Sequence, residues 1–193
     1  MMYLQSSIQR AMLVGCLLSG AILAASASDV PGVGNFHQLN PQVYRGAQPT
    51  DEGFKNLAHL GIATVIDLRE PGDRSVREGN VVKAAGMRYI SVPMKGMSAP
   101  ASEDVAKILT LMNDPSVGPV FVHCRRGADR TGTVLACYRI AHDGWDNRKA
   151  LTEARTLGMH WIERAMQSYV MHYAAGPSPA NSIAIPAVAT NQN

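Results

Sequence analysis

Val120-Phe121-Val122-His123-Cys124-Arg125-Arg126-Gly127-Ala128-Asp129-Arg130-Thr131-Gly132 changes character twice. Its first four residues suit a buried strand. A short polar loop follows, and an apolar helix of about Thr131–His142 begins where the loop ends. In a parallel sheet, ligands sit at the carboxyl ends of strands. A loop that wraps into a helix N-terminus turns its backbone N–H groups inward and forms an anion cradle. Gly127 allows the loop to bend where a side chain would obstruct it. Cys124 stands at the mouth of that cradle. N–H groups able to bind a phosphate also favour a thiolate over a thiol, which makes Cys124 a candidate nucleophile. Arg130 closes the loop, and its planar fork can take two phosphate oxygens at once.

The residues around that pair divide into binding and support. Arg125, Arg126, Gly127, Ala128, Asp129 and Arg130 make up the expected phosphate-binding loop. Arg125 and Arg126 at its rim are expected to attract anions, with Lys95 facing them across the pocket. Thr131 is placed to donate a hydrogen bond to the cysteine sulfur. Strand alternation points His123 away from Cys124, so its expected role is to orient the loop through backbone hydrogen bonds.

Outward from this segment, strands alternate with helices. Val43-Tyr44-Arg45 reads as a short strand, and Thr50 as an N-cap with Asp51 and Glu52 in the first turn. Phe54, Leu57, Ala58 and Leu60 give a helical face that Gly61 ends. Ile62–Leu68 and Arg88–Val92 read as core strands, with a helix of about Val76–Ala85 between them. Ser102-Glu103-Asp104 opens another helix, and 147–173 holds one or two more with a break near Gly158. The pattern predicts an α/β fold, with a mostly parallel central sheet of four to five strands flanked by helices.

The loop has the form H-C-x5-R-T-G, and on that signature the chain resembles the protein-tyrosine and dual-specificity phosphatase superfamily. Tyr44-Arg45-Gly46-Ala47-Gln48-Pro49 and Val65-Ile66-Asp67-Leu68-Arg69 are similar to the opening of small bacterial dual-specificity-like phosphatases. The resemblance implies a phosphomonoester hydrolase with a phosphocysteine intermediate at Cys124, and neither metal nor cofactor. It also implies an Asp general acid on the loop after the second core strand. That loop is Pro93-Met94-Lys95-Gly96-Met97-Ser98-Ala99-Pro100, without an acid. Asp129, just before Arg130, is the expected replacement; myotubularin and Sac-type lipid phosphatases carry an Asp there. Two readings of it stay open, the acid itself or a brace paired with a nearby arginine. Glu103 and Asp104 are outside alternatives, expected to favour their helix N-terminus. His160, Trp161 and Glu163 could border the pocket or cap a helix, and Met94 and Trp145 read as packing residues.

Composition bounds the rest. With 193 residues and 46% hydrophobic content, one compact domain can bury a core. A net charge of +3 argues against broad nucleic-acid binding. Residues 1–27 read as a signal peptide: Arg10, an apolar run from Ala11 to Ala25, then the small-x-small site Ala25-Ser26-Ala27. The run is shorter than the roughly 20 residues a spanning helix needs. The expectation is an exported protein, periplasmic or secreted, with lipidation at Cys16 as the alternative. Residues 28–41 read as an extended approach, 42–175 as the phosphatase domain, and the charge-free tail 176–193 as disordered. Cys137 lies in an apolar stretch and reads as a buried thiol rather than half of a disulfide. The six histidines show no metal-ligand spacing.

The leading expectation is a monomeric phosphatase for phosphotyrosine or mixed phosphoprotein substrates. A phosphoinositide or inositol-phosphate phosphatase is the second, favoured by Asp129 and the paired arginines. A rhodanese-like sulfurtransferase and a phosphate-binding pseudophosphatase complete the set.

Overall fold

The computed structural model describes residues 29–176. Its elements, in chain order, are β1 (His37–Asn40), β2 (Val43–Ala47), α1 (Asp51–His59), β3 (Thr64–Asp67), α2 (Asp73–Ala84) and β4 (Arg88–Ser91), followed by α3 (Ser102–Asn113), β5 (Val120–Cys124), α4 (Asp129–Asp143), α5 (Asn147–Thr156) and α6 (Arg164–His172). The strands form one sheet in the order β1-β2-β5-β3-β4. β2, β5, β3 and β4 run parallel, and β1 pairs antiparallel with β2. The expected signal peptide 1–27, with Cys16, and the expected disordered tail from residue 177 lie outside the described residues. Among the described residues, no helix is long and apolar enough to cross a membrane.

β5 is the last strand in sequence and the middle strand in space. Both faces of its sheet are covered, and all five of its residues are buried. Val120, Val122 and Cys124 face the core cluster that includes Val105, Ile108, Leu135 and Tyr138 of α3 and α4. Phe121 faces the opposite cluster, with Phe54 and Leu57 of α1 and Val82 of α2. The ring of His123 stacks on Phe121 at 5.7 Å, so it points away from Cys124 as strand alternation requires.

Local signals account for most boundaries. Thr50 caps α1, its hydroxyl accepting from the Gly53 N–H at 3.0 Å. Asp146 caps α5 in the same way through the Lys149 N–H. Cys137 is fully buried and unpaired, and burial holds its thiol well above the ordinary range.

Three elements differ from the sequence expectation. Residues 37–40, read as part of an extended approach without a strand of its own, form edge strand β1. The strand Arg88–Ser91 was expected in the core but lies at the other edge, with its end residues exposed. Helix α2 starts at Asp73 rather than Val76. Its buried face is Ser75, Glu78, Gly79 and Val82, while Val76 is 67% exposed. Apolar periodicity cannot locate a helix whose inward face is partly polar.

Candidate active site

The carboxyl end of β5 opens into a cavity of about 550 Å³ lined by Cys124, Arg125, Arg126, Asp129 and Arg130, with Gly96, Glu163 and Met166 on its walls. Cys124 is the last residue of β5 and 2% exposed. The next helix begins at Asp129, and its N-cap, Ala128, makes no side-chain capping bond. The first-turn N–H groups of α4 therefore have no capping side chain competing with an anion.

The loop is held from below by groups that the sequence did not single out. Gly127 has a φ of +65°, and its carbonyl accepts from Asn35 Nδ2 at 3.0 Å and from the guanidinium of Arg45. Asn35 also donates to the Leu157 carbonyl at 3.0 Å, which ties the loop to the end of α5. The Gln48 N–H donates to the Arg125 carbonyl at 3.3 Å. Arg45 is 1% exposed, and burial pushes its pKa down to about 10, partly countered by attraction to Cys124. It remains a cation at neutral pH. A charge inside the strand Val43–Ala47 was the available signal, since a lone buried charge requires a partner. Asn35 carried none.

This arrangement has a testable consequence. Arg45→Met removes both a loop donor and the cost of a buried charge. Activity should fall about 10- to 100-fold, while denaturant-measured stability changes by less than about 1 kcal/mol, because an apolar residue of similar volume offsets the lost bond. A large loss of stability with normal kcat would contradict this.

His123 is fully buried and anchors the loop from the opposite face. Its Nδ1 lies 3.3 Å from the Cys124 carbonyl oxygen, and its Nε2 lies 3.0 Å from Glu78 Oε1, without hydrogen-bond alignment. Arg69 bridges Glu78 and Asp67 at 2.8 and 2.6 Å. Tyr89 donates to Asp67 at 2.7 Å. Burial alone would raise the Asp67 carboxyl, but the Arg69 hydrogen bonds, with His123 and Tyr89, hold it below the usual carboxylate range. The expected orienting role of His123 fits these contacts. Among the described residues, Asp67, Glu78 and His123 are the grouping tight enough to hold a metal, and Arg69 already occupies both carboxylates.

The other expected residues fall on both sides. Arg130 Nη1 donates to the Met94 carbonyl at 3.3 Å, so it is tied to the 93–100 loop. Met94 is buried, as expected of a packing residue. Arg125 and Arg126 are exposed at the rim, and Arg126 pairs with Asp129 Oδ2 at 2.8 Å. The second Asp129 oxygen accepts from the His160 N–H at 2.9 Å. Both oxygens are thus engaged, and these contacts favour the brace over the acid. Thr131 Oγ1 is buried without a hydrogen-bond partner, so the expected bond to the cysteine sulfur is not formed. Lys95 is exposed and does not line the cavity; its loop reaches the cavity through Gly96.

A buried cysteine at the end of a central parallel strand, followed by an uncapped helix N-terminus whose first turn carries an arginine, is the arrangement that a cysteine-dependent phosphatase needs, and similarity to known proteins places the chain among cysteine-dependent phosphatases of the dual-specificity type. Residues 32–172 match the family described as DSP-PTPase phosphatase fused to NAD+ kinase, and the chain belongs to that family. It is similar to the dual specificity protein phosphatase TpbA of Pseudomonas aeruginosa strain UCBPP-PA14, at 30% identity over 80% of this chain and 71% of that protein. It is also similar to the inositol diphosphatase SIW14 of Saccharomyces cerevisiae, at 28% identity over 67% of this chain and 50% of that protein. The crystal structure of P. aeruginosa TpbA superposes with a TM-score of 0.62 at 27% identity, covering 75% of this chain and 92% of that one.

Proposed function

We propose that the enzyme hydrolyses phosphotyrosine, and mixed phosphoprotein sites more slowly, through a phosphocysteine at Cys124. The observation that carries this choice of substrate is the apolar rim. Met97 (63% exposed) follows Gly96 of the cavity wall in the chain, and Trp161 (68%) and Ile162 (47%) are the two residues before Glu163 of the same wall. Exposed large apolar side chains beside a phosphate cradle suit a ring or peptide flank. The similarity to TpbA, which has also been crystallised with phosphotyrosine, supports the same reading.

A second reading is an inositol-phosphate phosphatase, supported by the similarity to SIW14. One specific observation favours it. A neighbouring cavity of about 540 Å³ shares Arg125 and Arg130 with the first and adds Arg74 beside Glu70 and Asp73, leaving room and basic groups for a second phosphate. Steady-state kinetics on a phosphotyrosine peptide, a phosphoserine peptide and a diphosphorylated inositol should give the highest kcat/KM for phosphotyrosine. An inositol substrate that leads by tenfold or more would overturn the preference. The leader of residues 1–27 supports export, with lipidation at Cys16 as the alternative; mass spectrometry of the mature N-terminus separates the two.

A further inference from the structure

We propose that Glu163 is the general acid that protonates the leaving oxygen, an inference that rests on the phosphatase reading above. The loop after β4, Pro93 to Pro100, holds no carboxyl group. Two carboxyl groups line the cavity that holds Cys124 and Arg130, Asp129 and Glu163. Asp129 accepts hydrogen bonds at both oxygens. Glu163 stands at the N-cap position of α6, yet its side chain makes no capping bond. The residue is 7% exposed, and its Oε2 is buried without a hydrogen-bond partner. A carboxyl group that neither caps its helix nor braces the loop is free to exchange a proton with a bound ester.

Asp129 has a distinct place in this arrangement. It grips the His160 N–H, and the His160 carbonyl in turn accepts from the Glu163 N–H at 3.1 Å and from Gln167 Nε2 at 3.0 Å. The phosphate loop thereby holds the turn that carries Glu163. Asp129 is a positioning residue, and the acid rides on a fixed turn instead of the 93–100 loop.

The chemistry balances. The Cys124 thiolate attacks phosphorus, the S–P bond forms and the P–O ester bond breaks. Its electron pair goes to the leaving oxygen, which takes the proton of the Glu163 carboxyl group. The resulting carboxylate then takes a proton from water as that water attacks the phosphocysteine. The S–P bond breaks, and its pair returns to sulfur as inorganic phosphate leaves.

The test compares Glu163→Gln and Asp129→Asn in the full chain on two esters. One is an activated aryl phosphate whose phenolate leaves unaided, and the other is an alkyl phosphate. Glu163→Gln should lower kcat/KM, which reports formation of the phosphocysteine and not its hydrolysis, by about 10²- to 10³-fold on the alkyl ester and by less than about fivefold on the activated ester. It should also abolish the fall of kcat/KM at high pH that marks loss of the acid's proton. Asp129→Asn should slow both esters alike and keep that high-pH fall. Equal loss on both esters in Glu163→Gln, or a high-pH fall lost in Asp129→Asn and kept in Glu163→Gln, overturns the proposal. Failure of the unaltered enzyme to release phosphate from either ester would instead sink the phosphatase reading itself.

Discussion

Cys124→Ser should abolish turnover, lowering kcat/KM by about four orders of magnitude or more, while the protein still folds and binds phosphate. The substitution replaces sulfur by a smaller atom at a position 2% exposed, so packing against Val122 and Val134 is nearly conserved. The uncapped N-terminus of α4, Arg130 and the supports under Gly127 all remain. What disappears is the nucleophile. A hydroxyl stays protonated at neutral pH, and His123, whose ring points to the other face of β5, is not placed to take its proton. Inorganic phosphate should therefore bind at least as well as to the unaltered protein, measured by calorimetry. Residual turnover above about 1% would show that another group performs the attack.

Gly127→Ala should be the most damaging glycine-to-alanine change among the described residues. Gly127 adopts a φ of +65°, which costs a residue with a Cβ about 1–2 kcal/mol. The added Cβ would also lie 2.2 Å from the Gly46 carbonyl carbon, 2.3 Å from its oxygen and 2.4 Å from the Ala47 nitrogen. All three are backbone atoms of β2, and none can rotate aside. The loop must lift, and the Gly127 carbonyl then leaves Arg45 and Asn35. The expected loss is about 3 kcal/mol of stability, or roughly 10 °C in Tm, with at least a 100-fold fall in kcat/KM. Gly61→Ala is the matched control. Its φ is +90°, but nothing lies within 4 Å of the added methyl. It should cost only about 1 kcal/mol and leave activity intact. Equal Tm shifts for the two variants would refute the steric account.

Short-range chemistry was legible because it is written in neighbouring residues. The Thr50 cap, the β-branched run before Asp67, the thiol before a glycine-containing loop and the break at Gly158 each depend on a few adjacent positions. The core pair Cys124 and Arg130 belongs to the same class, since only a four-residue loop and Asp129 separate them. Two strands were misplaced for a physical reason as well. Whether Arg88–Ser91 lies inside or at the edge, and whether 37–40 joins the sheet, depends on which strands pair, and pairing is a long-range choice.

By itself, then, the amino-acid order determined an α/β domain with a cysteine and an arginine, the expected nucleophile and phosphate-binding group, at a strand-to-helix turn. Tertiary structure alone decided what stands around that turn. Arg45 and Asn35 reach Gly127 across 82 and 92 positions of chain, and the His160 turn reaches Asp129 across 31. Their roles rest on burial and distance, which arise only when β2 and α6 pack beside the loop. A carboxyl group's work is likewise set by which donors surround it. That is why the sequence leaves Asp129 open between acid and brace, while in the fold both its oxygens are engaged and Glu163 is left with an uncommitted oxygen.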